Sequence, residues 1–423
     1  MGKIKADLLL RNAGQLITGA GFSGRPKRGA ELADIGLVEN GALAAKDGVI
    51  AAVGPEARVL EQVELTPGAR VIDAGGRVVL PGLVDPHTHV VFAGSREHEL
   101  EMKIAGMSYL EILSRGGGIL DTVRSTRSAG REELAAAGRK YLDQMLAQGT
   151  TTAEVKSGYG LTTADEMKIL AVVRELDGSH PVDLAPTFLG AHAIPPEYKA
   201  DPGAFVDLVT EEMLPAVARE GLAEFCDVFC EEGVFTVEQS RRILLAAREL
   251  GLRPKVHADE IVSLGGAELA VELGAVSADH LMAVSEEGIR RLAESGTVAV
   301  LLPATTFCLM GKQYAPARRM IEGGVAVALA SDFNPGSSPV NSMQVVMGLA
   351  CRQLKMTPAE VISAVTINAA HALGRADRVG SLEPGKQADL VVFDAVDYRY
   401  LMYRFGTNLA TTVVKSGKIV VGG

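Results

Sequence analysis

The 423-residue chain predicts an α/β protein, a (β/α)8 TIM-type barrel with a second, small β-sandwich domain built from both chain termini. Two observations carry this expectation. Between residues 78 and 334, eight apolar strand segments recur with amphipathic helices between them, and strands alternating with helices close most simply into a parallel barrel. At the two ends of the chain, short extended pieces follow one another with turn residues between them, which is the texture of a small β unit. Neither end alone has enough apolar surface for a core. The ends are therefore expected to pair, with residues 1–78 and 380–423 as one composite domain and 79–379 as the barrel.

In chain order, the N-terminal unit consists of ADLLLRNAGQLIT, GALAAKDGVIAAVG and ARVIDAGGRVVLPG, divided by Asp-Gly, Gly-Pro and Gly-Gly turn signals. The Gly-rich segment between Gly19 and Gly36 contains GAGFSG, which formally satisfies GxGxxG. A phosphate-binding motif needs a helix to start at those glycines. Pro26 and a charged stretch follow instead, so a mobile surface loop is expected there. The barrel strands are expected at 78–90, 150–158, 182–192, 224–233, 254–260, 275–281, 297–306 and 325–334. Of the helices between them, one repeats Leu134, Tyr141, Leu142 and Met145 on a single face before Gly149. Three others start with capping-box spacing: Thr163 with Glu166, Thr236 with Gln239, and Thr357 with Pro358 and Glu360. The triple glycine at 116–118 suits a lid hinge or a plain turn. After the turn EPGKQ, the segments 388–394 and 411–423 return to strand texture.

Composition excludes several classes of function. Lys plus Arg number 42 against 52 Asp plus Glu, a net charge of −10, and the largest basic cluster is Arg25, Lys27 and Arg28. That is not the electrostatic footprint of a nucleic-acid binder. Hydrophobic residues at 47% and charged residues at 22% match an ordinary globular core and surface. Cys226, Cys230, Cys308 and Cys351 form no CxxC pair and read as buried thiols of a reducing compartment. The apolar run at 8–10 is too short for a signal segment, and no stretch approaches the ~20 apolar residues of a membrane span. A cytoplasmic protein with no membrane partner is expected.

The chemistry-bearing residues gather at expected strand ends. His87 and His89 sit two apart at the end of the first barrel strand, so both imidazoles face the same way. His257, His280 and Asp332 end strands five, six and eight, on the face where barrels of this kind carry their chemistry. Five metal-competent residues from distant segments are hard to attribute to core packing. His98, His180 and His371 fall elsewhere and are assigned no role. With no GxSxG elbow, no GxxxxGK[ST] loop and no cysteine beside a histidine, the expected nucleophile is water on a metal.

With PGLVDPHTHVVFAG, HADE, ADHL and SDFNPGSS, the sequence resembles the amidohydrolase superfamily. GSREHELEMK, AEVKSGYGL, FLGAHAIPPEY, EFCDVFCEEGVF and LLPATTFCL together are similar to its imidazolonepropionase family. The resemblance implies that His87, His89, His257 and Asp332 hold one Zn or Fe ion per subunit. It implies hydrolytic ring opening of 4-imidazolone-5-propanoate to N-formimidoyl-L-glutamate. Glu260, His280 and Asp332 would be catalytic, with the choice of principal base among them left open. Arg96 would take the tail carboxylate, and Tyr109, Tyr159, His192, Glu260, Asn334, Gly336 and Ser337 would complete the substrate site. Binuclear relatives usually carry a bridging carboxylated lysine at the end of strand four. Here Cys230 and Glu231 occupy that neighbourhood and Lys156 ends strand two, so a single ion is expected, with Lys156 neutralising a carboxylate nearby. A homodimer is implied as well. The runner-up activity is that of a related purine or pyrimidine deaminase, which shares the ligand set but needs no carboxylate clamp.

Overall fold

The computed structural model describes residues 3–107, 111–112 and 117–422. Its strands form two sheets. The smaller domain is built around β1 (Ile4–Ile17), with β2 (Leu37–Lys46) and β3 (Val49–Pro55) antiparallel along one edge and β4 (Val63–Asp73) and β5 (Val78–Pro81) parallel along the other. The C-terminal strands β14 (Leu390–Phe393), β15 (Ala410–Lys415) and β16 (Lys418–Val421) continue this mixed sheet outward from β5. Both chain ends therefore share one sheet, as expected. Strand alternation covers both faces of it. Leu43 and Ala45 pack with Leu8, Leu10, Ile50 and Leu390, while Ala42 and Ala44 face Leu9, Val59 and Val63.

The second sheet is eight-stranded: β6 (Leu83–Asp85), β7 (Thr150–Lys156), β8 (Asp183–Ala191), β9 (Phe225–Cys230), β10 (Arg253–Ala258), β11 (Ser277–His280), β12 (Val298–Leu301) and β13 (Val327–Leu329). Neighbours pair parallel and in sequence order. The barrel closes just beyond the first and last strands. Asp332 N donates to His87 O at 3.0 Å, His89 N donates to Phe333 O at 2.9 Å, and Ser331 N and Oγ donate to Asp85 at 3.0 and 2.5 Å. Helix Ile367–Ala372 covers the opposite end, packing on Phe225 and Val298, the first residues of their strands. The apolar plug at one end leaves the carboxyl ends of the strands for polar residues.

Several expectations are corrected by local chemistry. Segment 78–90 splits at Gly82, with Val78–Pro81 joining the mixed sheet and Leu83–Asp85 the barrel. Strand seven stops at Leu301 because Pro303 starts helix Pro303–Cys308 at its first turn, where proline is favoured. The 19–36 segment is no free surface loop: Pro26 and Lys27 are buried, and Lys27 Nζ donates to the Asp34 carbonyl and to Ser363 Oγ. The N-cap of helix Thr163–Asp177 is Thr162, one residue earlier than expected, and accepts from Asp165 N. The other two capping boxes form as expected, and Gly149, at φ +99°, lies just past helix Arg131–Ala147. No helix among the described residues is long and apolar enough to cross a membrane.

Candidate active site and metal centre

The backbone at and just past the strand ends is sharply bent. His280 (φ +78°), Asp332 (φ +54°) and Asp259 (φ +50°) all adopt left-handed conformations that non-glycine residues seldom take. Such outliers persist where the surroundings over-determine them, and they concentrate at functional sites.

Four imidazoles and a carboxylate meet at the barrel mouth. The His87 ring lies 4.5 Å from His257, 5.4 Å from His89 and 5.4 Å from His280, centroid to centroid. Asp332 Oδ1 is 3.4 Å from His87 Nε2 and 3.6 Å from His89 Nε2. Asp332 Oδ2 accepts from Thr305 Oγ1 at 2.7 Å. His87 Nε2 is fully buried and has no hydrogen-bond partner, while its Nδ1 is 2.7 Å from Asp279 Oδ2. His257 Nδ1 lies 2.8 Å from Asp227 Oδ2, an ion-pair contact without the alignment of a hydrogen bond. A carboxylate on Nδ1 fixes the ring so that the other nitrogen's lone pair faces the site, as in metal-binding histidines. An orphaned buried nitrogen would otherwise cost free energy. Three overlapping trios, His87/His257/His280, His89/His192/His257 and His87/His89/Asp332, each bring their ligand atoms within 4.8 Å of one another, a donor chemistry that fits a divalent ion.

Electrostatics agree with that reading for three of the four imidazoles. Burial, helped by neighbouring cations, pushes the His87, His89 and His280 imidazoles well below the usual histidine range, so they stand neutral and able to ligate. Burial lowers His257 too, but Asp227 beside it more than offsets this and its pKa is raised. Burial raises Asp332 to about 6. Glu260 is raised to about 8, by burial first and then by the charge of Asp332. Its Oε1 lies 3.7 Å from His280 Nδ1.

The remaining expected site residues form two groups. His192 stacks on His89 at 5.1 Å with 10° between the planes, and Tyr159 lies 5.5 Å from His89 and 5.4 Å from His192. Gly158 makes this approach possible. At φ +108°, a Cβ there would come within 2.7 Å of His192 Nδ1. On the other side, Arg96 sits over Gly336, and Asn334 organises the loop after β13 by accepting from Gly336 N and Ser337 N, both at 2.8 Å. The guanidinium is not simply poised for ligand, because Arg96 Nε and Nη2 each donate to Glu99 at 2.9 Å. Tyr109 and Gly116 lie outside the described residues. His98, His180 and His371 stay away from the centre, beside Asp121, Asp143 and the Phe22 carbonyl. Cys226 and Cys230 are buried in β9 with no disulfide.

The structure adds residues that sequence reasoning missed. Asp227 and Asp279 hold His257 and His87. Glu99 holds Arg96, and Lys103 Nζ ties helix His98–Ile104, which follows β6, to the loop after β13 by donating to Gly336 O at 2.9 Å. Glu166 accepts from Gly158 N, Gly160 N and Leu161 N at 2.7 to 3.0 Å and so shapes the Tyr159 loop rather than capping a helix. Asp259 Oδ1 does the same beyond Glu260, accepting from Leu264, Gly265 and Gly266. A signal was available for the barrel acids: FCDVFC and SADH place a charge inside strands that are otherwise apolar or small.

Comparison with known proteins agrees with this geometry. The profile described as "Amidohydrolase family" matches residues 78–420. The chain is 56% identical over 420 residues to the imidazolonepropionase of Shouchella clausii, covering 99% of this chain and 94% of that protein. It is 55% identical over 415 residues to the imidazolonepropionase of Geobacillus kaustophilus, covering 98% of each. Among solved structures, a zinc-bound adenosine deaminase from Xanthomonas campestris superposes with a TM-score of 0.73 at 22% identity, covering 99% of this chain and 94% of that one. E. coli guanine deaminase gives 0.73 at 17%, covering 98% and 99%. Likeness at that identity shows the fold alone.

Proposed function

The chain belongs to the amidohydrolase family and, within it, to the imidazolonepropionases, and from that premise we propose how its barrel mouth works. The activity is hydrolysis of a carbon-nitrogen bond in a cyclic amide, 4-imidazolone-5-propanoate, giving N-formimidoyl-L-glutamate. In this reading His87, His89, His257 and Asp332 hold one Zn or Fe ion per subunit. When bound, the ion supplies Lewis-acid polarisation of the ring carbonyl and a water acidic enough to lose its proton near neutrality.

The protein's own groups do the rest. Asp332 accepts the proton of the attacking water, and the neutral His280 imidazole donates a hydrogen bond to the oxygen that becomes negative. Water adds its oxygen to the carbonyl carbon, the ring carbon-nitrogen bond breaks, and the leaving nitrogen takes a proton. Glu260, raised to about 8, carries a proton at neutral pH and serves as that donor. Arg96 receives the propanoate tail, with Glu99 holding the guanidinium in plane. Tyr159 and His192 flank the ring, and Asn334, Gly336 and Ser337 line the opposite wall. The same reading keeps residues 1–78 and 380–423 as the composite unit, to which the pairing of Val78–Pro81 with the C-terminal strand adds residues 79–81, and makes the chain a cytoplasmic homodimer.

The observation that carries the metal reading is the buried, unpartnered His87 Nε2 facing Asp332 Oδ1 at 3.4 Å. The test is the loss of imidazolone ultraviolet absorption on mixing protein with 4-imidazolone-5-propanoate, beside a chelator-stripped sample and one with metal restored. Loss that requires metal and yields formimidoylglutamate supports the reading. No loss with metal-loaded protein overturns it.

A further inference from the structure

The barrel interior beneath the histidines holds a run of charge that the proposed reaction does not use. Lys156 Nζ, at the end of β7, lies 2.7 Å from Asp227 Oδ2, 3.1 Å from Glu154 Oε1 and 3.3 Å from Asp279 Oδ2, and all four side chains are fully buried. The two aspartate oxygens that meet Lys156 are the same two that meet the histidines: Asp227 Oδ2 is 2.8 Å from His257 Nδ1, and Asp279 Oδ2 is 2.7 Å from His87 Nδ1. One ammonium thus stands behind two imidazoles that come from different parts of the barrel.

We infer that Lys156 is a positioning residue for the metal centre, fixing His87 and His257 together by holding Asp279 and Asp227 at once. The inference rests on the proposal that these histidines hold an ion. Asp279 meets a single ring nitrogen of His87, and Asp227 lies 2.8 Å from His257 Nδ1, which leaves two buried carboxylates, both within 3.3 Å of one point, repelling each other in a medium that screens poorly. A cation at that point turns the repulsion into a shared attraction and sets where each acceptor oxygen lies. Asp227 is further anchored through Oδ1, which accepts Val228 N at 2.7 Å and His257 N at 3.1 Å. Asp279 Oδ1 has no hydrogen-bond partner, so Lys156 and His87 are what hold that carboxylate. Lys255 makes the natural comparison. It is equally buried, but its Nζ donates to Glu154 Oε2 at 2.9 Å, two residues back along β10 from His257.

The test is metal affinity, read by competition of Co(II) or Zn(II) against a chromophoric chelator, for the parent, Lys156→Met, Lys255→Met, Asp279→Asn and the K156M/D279N pair. Lys156→Met is expected to weaken metal binding by about 10- to 100-fold, as loss of a partner behind a ligand does. Lys255→Met should stay within about threefold of the parent, and the double variant should lose less than the product of the single losses. Parent-like affinity in Lys156→Met overturns the inference, as does an equal loss in Lys255→Met, which marks general damage to the core. Far-UV circular dichroism checks folding, and Lys156→Gln replaces the methionine variant if that one is unfolded. Failure of both to fold also overturns the inference, because the cation is then needed for the fold itself. A parent that binds no ion refutes the metal reading instead, a result distinct from all of these.

Discussion

Arg96 and Gly336 are in such close contact that a methyl group on the glycine would come within 1.9 Å of guanidinium Nη1. The guanidinium plane, held by Glu99 on its other side, lies directly on the backbone of the loop after β13. Gly336→Ala is therefore expected to displace Arg96 and to raise KM for 4-imidazolone-5-propanoate by about tenfold or more, the worth of a hydrogen bond to a charged group. Metal content should stay at the parent level. Steady-state kinetics beside metal analysis check this, and an unchanged KM removes Arg96 from the tail site.

Glu99 tests the same clamp from behind. Its carboxylate takes Arg96 Nε and Nη2 and also Gly118 N at 2.6 Å. Glu99→Gln keeps the shape but loses one acceptor for the guanidinium fork. The expected outcome is a higher KM with kcat reduced less. A fall in kcat alone contradicts a tail-binding role for the pair.

Removal of metal ligands should separate binding from folding. His87→Ala and Asp332→Asn are expected to abolish the rise in melting temperature that added Zn(II) or Fe(II) gives the stripped parent, a stabilisation of about 2.7 kcal/mol at a ligand concentration near 100 times Kd. Differential scanning calorimetry with and without metal measures it. A full metal-dependent rise in either variant counts against the assigned ligand set.

Glu260→Gln removes the proposed proton donor without touching the ligands. The rate of ring opening should fall by about 10²- to 10⁴-fold, the usual contribution of a positioned acid or base. Metal content is expected to hold. A loss of less than about threefold would reassign the proton transfer to His280 or Asp332.

Acid sensitivity can be read outside the site. Burial pushes His371 below the usual histidine range, although the Phe22 carbonyl lies 2.7 Å from its Nε2. As pH falls, the unfolded chain takes up this proton first, so the histidine's share of stability is present above about pH 6.5 and is lost below it. In His371→Gln the drop in unfolding free energy between about pH 7.5 and about pH 5.5 should be smaller than in the parent. Denaturant titrations at the two pH values decide it, and an equal drop in both proteins refutes the assignment.

The eight barrel strands, the capping boxes at Thr236 and Thr357, and the five metal-competent residues at strand ends were all legible in sequence, because each rests on a local pattern. Strand period, cap chemistry and the spacing of His87 from His89 need only a few neighbouring residues. The split of 78–90 between two sheets was not legible, since an apolar run does not record which partner strand it will meet. Nor was the engagement of Arg96 by Glu99, three residues along the same turn. What only the tertiary structure decided is the support behind the site: Asp279 on His87, Asp227 on His257, and Lys156 on both. These contacts join residues of separate strands, up to 192 positions apart. Barrel closure sets their distances, and no local pattern in the chain encodes a distance across the barrel.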